Sequence, residues 1–249
     1  MKTTKIKNDV LNVLDNVVIE KNMVRLGCGQ LDRKLYLAVN EVLESIGGKW
    51  NRKAKAHIFD QDPSESIESI ILTGEISTPK DNGYFPTPKV IVDQMCDLAE
   101  LYEGCRVLEP SAGRGNIVRE LIDLGCKVSC CELLSDNRKY LTDNFDIVLY
   151  NESDFLKLDT LDRFDRVVMN PPFSKQQDID HVTKAFSLLN DSGILISVMS
   201  AGIEFRENKK TKNFLEFLDN HNGEIISLED GSFKKSGTMV RTVIVKMGS

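Results

Sequence analysis

From Val90 onward, apolar runs of strand length alternate with stretches of helical spacing, and no other feature constrains the fold as tightly. VIVDQMCDLAELY, NIVRELIDLG, SDNRKYLTDN, DIDHVTKAFSLL and TKNFLEFLDNH read as helices. Between and after them, RVLEP, KVSCCEL, IVLYNES, RVVMNPP, GILISVMS, EIISLED and TMVRTVIVKM read as strands. The alternation predicts an α/β fold with a mostly parallel, doubly wound sheet and helices on both faces. Such a sheet binds ligands beyond the carboxyl ends of its strands, so chemistry is to be sought where strands stop.

Residues 24 to 58 read as strand, helix, strand. MVRLG comes first, then LDRKLYLAVNEVLESIG ending at Gly47-Gly48, then KWNRKAKAHIF as one alternating strand. The turn-rich stretch ILTGEISTPKDNG predicts a linker around residues 73 to 83. It divides a small N-terminal α+β domain, 1–80, from a larger domain, 81–249. The net charge of -6 over 249 residues argues against non-specific coating of nucleic acid. Between Lys21 and His57, however, eight basic residues against three acidic ones leave +5, a locally basic surface. Arg52, Lys53 and Lys55 are the expected phosphate contacts and Trp50 a stacking surface; the alternative is a solvated face with Trp50 in a small core. His57 lies in an alternating strand and reads as structural.

No apolar run approaches the roughly 20 residues that span a bilayer, and MKTTKIKNDV lacks the apolar core of a signal peptide. A cytoplasmic location is expected. The six cysteines, Cys28, Cys96, Cys105, Cys126, Cys130 and Cys131, lack paired CxxC spacing, so they read as reduced structural thiols and no metal site is expected.

Three strand ends carry a candidate cofactor site. Glu109-Pro110-Ser111-Ala112-Gly113-Arg114-Gly115 follows strand RVLEP and opens a helix, so its glycines can turn sharply and admit a ligand to the backbone. Without a ligand the same stretch is simply a tight strand-to-helix turn. Seventeen residues beyond Gly115, strand KVSCCE ends at Glu132, whose carboxylate can accept from both hydroxyls of a ribose. Asp154-Phe155 offers an acceptor for an adenine amine and an aromatic face, although Phe155 also reads as core. Together these ends describe an adenosine-shaped pocket. Val118 stands where the dinucleotide fingerprint has its third glycine, which weakens a nicotinamide-dinucleotide reading.

Asn170-Pro171-Pro172-Phe173 follows strand RVVMN and resembles the catalytic loop of the DNA adenine-N6 amino-methyltransferases, which implies an adenine amine as the group acted on. An adenine amine is a poor nucleophile because its lone pair is delocalised into the ring. Two acceptors aimed at its two hydrogens localise that pair, and the Asn170 side-chain oxygen and the Pro171 carbonyl can supply them. Phe173 can stack on the base. Pro171 confines Asn170 to extended backbone and the two prolines fix successive φ angles, so the loop is rigid before substrate arrives.

In these residues the chain resembles the DNA adenine-N6 amino-methyltransferases, over roughly residues 84 to 246. Tyr84-Phe85-Pro86-Thr87-Pro88 is similar to the family's FxTP segment, and the order FxTP, glycine loop, NPPF resembles its gamma arrangement. The resemblance implies a Rossmann-like class I methyltransferase fold and S-adenosylmethionine as cofactor. It implies that Phe85 and Thr87 help hold the methionine end of the cofactor. Ser111, Gly113, Gly115, Glu109, Glu132, Asp154 and Phe155 would complete that site. SFKKSGT followed by VRTVIVKM resembles the family's late hairpin, with Phe233 as a second wall for a flipped base or a packed aromatic. DNA is the implied substrate. Many gamma-type relatives carry a target-recognition domain after the catalytic half, yet this sequence ends soon after VIVKM. Target reading is therefore expected to fall to the basic N-terminal unit, the Ile203–Lys212 loop, a partner protein, or nothing. The competing readings are methylation of adenine in structured RNA, methylation of a protein glutamine amide, and a catalytically idle binding subunit.

Overall fold

The computed structural model describes residues 5–27, 29, 31–76, 86–229, 231–233 and 240–248. The chain forms two compact units, one made of Met1–Asn82 with Ala201–Lys212, the other of Gly83–Ser200 with Asn213–Ser249. The segment 201–212, expected within the larger domain, thus clusters with the first unit.

The first unit holds helices α1 (Asn8–Asp15), α2 (Arg33–Ser45) and α3 (Ser64–Thr73), with strands β1 (Val17–Glu20), β2 (Met23–Leu26), β3 (Lys49–Asn51) and β4 (Ala56–Ile58). The sheet runs β1-β2-β4-β3 and its pairs are antiparallel. Asp32 starts α2 by accepting from the amides of Lys34 and Leu35 at 2.8 and 3.1 Å, which satisfies two N–H groups the helix cannot. The alternating stretch from Lys49 is not one strand. It is a hairpin, with Asn51 Oδ1 accepting from the amides of Lys53 and Ala54 and Lys55 turning at φ 49°. Helix α3 runs through Thr73 and ends at left-handed Gly74, where the expected linker starts, so Ile71 and Leu72 of the turn-rich stretch are helical; residues 77–83 lie outside the described residues. Leu11, Leu14, Val24, Leu43, Phe59 and Ile70 form the core, where truncating one leucine to alanine costs about 2–5 kcal/mol. Arg206, from the 201–212 segment, is buried 3.3 Å from Asp15 and 3.6 Å from Glu68.

The second unit is built on a seven-stranded sheet. In chain order it holds α4 (Lys89–Leu98), β5 (Arg106–Glu109), α5 (Asn116–Asp123), β6 (Lys127–Cys130), α6 (Ser135–Asn144), β7 (Val148–Leu149), β8 (Phe164–Met169), α7 (Gln177–Phe186), β9 (Leu189–Ser200), α8 (Lys209–Asn220, which begins in the 201–212 segment), β10 (Glu224–Ser227) and β11 (Thr242–Gly248). Strand order is β10-β11-β9-β8-β5-β6-β7. The pairs β6–β7, β5–β6, β5–β8 and β8–β9 are parallel, while β11 is antiparallel to both β9 and β10. Val107, Leu108, Val167 and Val168 are fully buried, as strands covered on both faces require. The order reverses at β5: the chain proceeds to β6 on one side and returns through β8 on the other. That switch point opens a crevice beyond the carboxyl ends of β5 and β8.

Candidate active site

The glycine loop leaves β5 at Glu109 and enters α5 at Asn116. Gly113 and Gly115 have φ of 55° and 81°, a region costly for side chains with a Cβ. At Gly115 a Cβ would also lie 2.5 Å from the Phe145 ring. Val118, where a dinucleotide site has its third glycine, is fully buried against the sheet.

Glu132 closes the loop from the neighbouring strand. Its Oε2 accepts from the Gly113 amide at 2.7 Å, and its Oε1 accepts from the Leu134 amide at 2.8 Å and Asn137 Nδ2 at 3.4 Å. Glu109 lies deeper, 1% exposed, and its Oε2 has no hydrogen-bond partner among the described residues. Burial first, and the Glu132 carboxylate second, push the Glu109 carboxyl well above the usual range. An orphaned buried acid beside a glycine loop is fitted to receive a cationic or donor-bearing ligand group.

Asp154 caps a short 3-10 turn, Phe155–Lys157, by accepting from the Leu156 amide at 3.1 Å. Lys157, 3.1 Å from its other oxygen, holds Asp154 below the usual carboxylate range. Phe155 is 2% exposed and packs on the His181 ring at 5.6 Å, with Lys184 Nζ over its face at 5.4 Å. Its ring is therefore occupied by protein in this structure. Ser111 is half-buried in the glycine loop.

Asn170 immediately follows β8, the strand beside β5. Its Nδ2 donates to Thr87 Oγ1 at 3.1 Å, and the Thr87 carbonyl accepts from Asn116 Nδ2 at 3.1 Å. Pro171 and Phe173 are buried and Pro172 half-buried. The backbone then takes φ of 53° and 56° at Lys175 and Gln176, two consecutive non-glycine residues in the left-handed region. Asp178, which sequence reasoning missed, is 1% exposed at the start of α7 and accepts from the Ser200 amide at 3.0 Å. It ties the helix after the Asn-Pro-Pro-Phe loop to the end of β9. An acid in the first turn of a helix was its only sequence signal.

A cleft of about 290 Å3 is lined by Thr87, Lys89, Val92, Arg114, Gly115, Asn116, Arg119 and Tyr140; it meets the glycine loop and Thr87, while Glu109, Glu132, Asp154 and Asn170 are not in its lining. Phe85 and residues 234–239 lie outside the described residues. Phe233 is 1% exposed and so is packed. In the other unit, Arg52, Lys53 and Lys55 are exposed at the β3–β4 turn, and Trp50 is 47% exposed beside His57, with ring centroids 5.2 Å apart. His57 is buried and shares a 2.7 Å hydrogen bond with Asn40 Oδ1. Among the described residues, no group of three or more His, Cys, Asp and Glu is placed to hold a metal ion. No helix among them is long and apolar enough to cross a membrane.

No protein-family model and no curated protein matches this sequence. Solved structures do. The chain is similar to a modification subunit of a putative type I restriction enzyme from Vibrio vulnificus, with 18% identity and a TM-score of 0.58 over 68% of this chain and 45% of that one. It thus spans less than half the length of that subunit. A putative class I S-adenosylmethionine-dependent methyltransferase from Listeria monocytogenes is 15% identical with a TM-score of 0.52, over 88% of this chain and 75% of that one. A putative RNA methyltransferase from Pyrococcus horikoshii is 19% identical with a TM-score of 0.52, over 70% and 91% of the two chains. The fold is the Rossmann-like class I methyltransferase fold.

Proposed function

We propose that this chain is an S-adenosylmethionine-dependent methyltransferase that modifies the exocyclic N6 amine of adenine in DNA. The observation that carries the reading is the Asn170-Pro171-Pro172-Phe173 loop at the end of β8, beside the glycine loop at the end of β5, with the Asn170 amide tethered to Thr87. The residues present fit the cofactor. Glu109 Oε2 is buried without a partner among the described residues and suits an ammonium group, while Glu132 suits ribose hydroxyls.

The cofactor supplies an electrophilic methyl group on a sulfonium. The chain's work is to bring an adenine amine into line with it, and good alignment lowers a barrier by about 7–11 kcal/mol relative to free encounter. Asn170 Oδ1 and the Pro171 carbonyl accept from the amine's two hydrogens and localise its lone pair on nitrogen. The surplus proton leaves to water after transfer, so no strong base is needed. The base must be flipped out of its duplex at a cost of a few kcal/mol. Phe173 is 8% exposed, so stacking on the base requires its ring to swing from its packed position. The Asp154-Phe155 turn would border the adenine of the cofactor. On the first unit, the exposed cations Arg52, Lys53 and Lys55 with Trp50 support contact with a phosphate backbone.

RNA is the second reading. The similar Vibrio protein is named as part of a restriction enzyme and the similar Pyrococcus protein as an RNA methyltransferase, and the latter likeness spans 91% of that chain. Incubation with labelled S-adenosylmethionine and, separately, duplex DNA, single-stranded DNA, total RNA and protein extract separates the readings. N6-methyladenine in DNA is expected; label in RNA alone selects the second reading, and label in protein alone overturns both. Asn170→Ala should abolish turnover and keep cofactor binding.

A further inference from the structure

We propose that Thr87 is a positioning residue that fixes the Asn170 amide for reaction, and that Asn116 holds Thr87 in place to do so. The inference rests on the catalytic role proposed for Asn170. Three residues far apart in sequence form one chain of contacts: Asn116 Nδ2 donates to the Thr87 carbonyl at 3.1 Å, and Asn170 Nδ2 donates to Thr87 Oγ1 at 3.1 Å. Thr87 is 4% exposed. It sits between Pro86 and Pro88, and the residue before a proline is confined to extended backbone, so the hydroxyl is presented from a stiff segment. Pro171 and Pro172 stiffen the other partner in the same way.

The chemistry requires such a tether. An asparagine side chain turns easily about its last torsion, and its two ends have opposite hydrogen-bonding character. A substrate amine brings only donors, so it is activated by the amide oxygen and repelled by the amide nitrogen. A hydroxyl can serve either end of the amide. Thr87 therefore fixes where the group sits, and the incoming amine selects the end that faces it. Once Oδ1 accepts from the substrate, Nδ2 must find its acceptor elsewhere, and Thr87 Oγ1 is that acceptor. The amine becomes positively charged as it is methylated, so its hydrogens pull harder on Oδ1. Polarisation along the amide then strengthens the Nδ2 bond to Thr87 at the same moment. A contact that tightens as the barrier is crossed appears in kcat. Thr87 thus acts through Asn170, in contrast to the cofactor-holding part that the FxTP resemblance implies for it. Asn116 opens α5 directly after the glycine loop, so the same chain of contacts links that loop to the reacting amide.

Thr87→Val keeps shape and removes the acceptor; Thr87→Ser keeps the acceptor. The expected result is a fall in kcat of about 10- to 100-fold for Thr87→Val. Activity should stay within a few-fold of wild type for Thr87→Ser, and the dissociation constant for S-adenosylmethionine should be little changed in both. Asn116→Ala should lower kcat in the same direction, and its effect should not add to that of Thr87→Val. A weakened cofactor affinity with unchanged kcat at saturation would overturn the proposal and return Thr87 to cofactor binding. A second readout does not depend on the substrate. The Asn170 side-chain NH2 pair in a 1H–15N spectrum, assigned by its loss in Asn170→Ala, should shift and exchange faster with solvent in Thr87→Val and Asn116→Ala, and stay in place in Thr87→Ser. An NH2 pair unmoved by Thr87→Val refutes the tether whatever the enzyme modifies. Wild-type protein that leaves DNA unmethylated, but shows the NMR pattern, refutes the DNA reading and leaves the tether standing.

Discussion

Glu132 Oε2 accepts from the backbone amide of Gly113 at 2.7 Å, so the glycine loop after β5 is held in its turn by a carboxylate from the end of the next strand. The other oxygen of the same group takes the Leu134 amide at 2.8 Å and so directs the chain into α6. One side chain, 7% exposed, sets the geometry of two strand ends.

Replacing Glu132 with alanine should leave these two amides without their acceptor, at about 1–3 kcal/mol for each that stays buried. Urea unfolding should register the loss and calorimetry should show weakened cofactor binding. Glu132→Gln keeps one acceptor oxygen and should fall between. Wild-type stability in Glu132→Ala would refute the arrangement.

Glu109 makes stability depend on pH. Its folded-state pKa is raised above the usual value of 4.5, by burial first and by Glu132 second, so the folded chain holds a proton that the unfolded chain releases. Its contribution is fully present below about pH 4.5 and is lost as pH rises through the raised value. Denaturation midpoints in the absence of cofactor should therefore fall across that window in the wild type and less steeply in Glu109→Gln. The same variant should bind S-adenosylmethionine more weakly, because a carboxyl can give up its proton to balance an incoming ammonium charge and an amide cannot.

Gly115→Ala combines a φ of 81° with a Cβ placed 2.5 Å from the Phe145 ring. A destabilisation of about 2–4 kcal/mol is expected from the left-handed backbone and the displaced ring together. Phe145→Leu should recover part of the loss in the double variant, seen as non-additivity in thermal unfolding. Full additivity would mean the ring is not what the new methyl meets.

The five described cysteines are free and buried. Burial is the first cause in each case, pushing Cys96 and Cys131 up to about 12, Cys126 to about 11, and Cys105 and Cys130 upward. In a Cys28→Ser background, a thiol reagent at pH 8 should find no fast-reacting group until denaturant is added. A rapid equivalent would place one of them at the surface.

In the second unit the strands and helices expected from sequence are present, because each carries its own periodicity. Helix α6 spans SDNRKYLTDN as read, while the strand expected over IVLYNES shrinks to Val148–Leu149. The first unit was harder to read. Trp50, Ala54, Ala56 and Ile58 share one phase of a two-residue period, interrupted only at Arg52, so period read as a single strand and gave little sign that the chain reverses. The reversal depends on the Asn51 side chain and a left-handed Lys55, with no glycine or proline to mark it. Helices α1 and α3 and strand β1 were not anticipated, although Val10, Leu11 and Leu14 carry helical spacing. The chemistry-bearing types at the strand ends were legible, but their partners were not. Nothing local in sequence reports that Thr87 meets Asn170, or that Glu109 is buried without a partner among the described residues.

Arg206 belongs with Asp15 and Glu68 in the first unit, although it is encoded after β9. A ribosome releases those two acids long before it makes the guanidinium that neutralises them. Nascent residues 1–82 must therefore wait, incompletely compensated, until most of the second unit's sheet has been synthesised. Cutting the gene at the apparent boundary would give an N-terminal fragment lacking its own buried cation. Uncompensated carboxylates of that kind cost several kcal/mol. The two halves are thus poor candidates for separate inheritance or for exchange as cassettes.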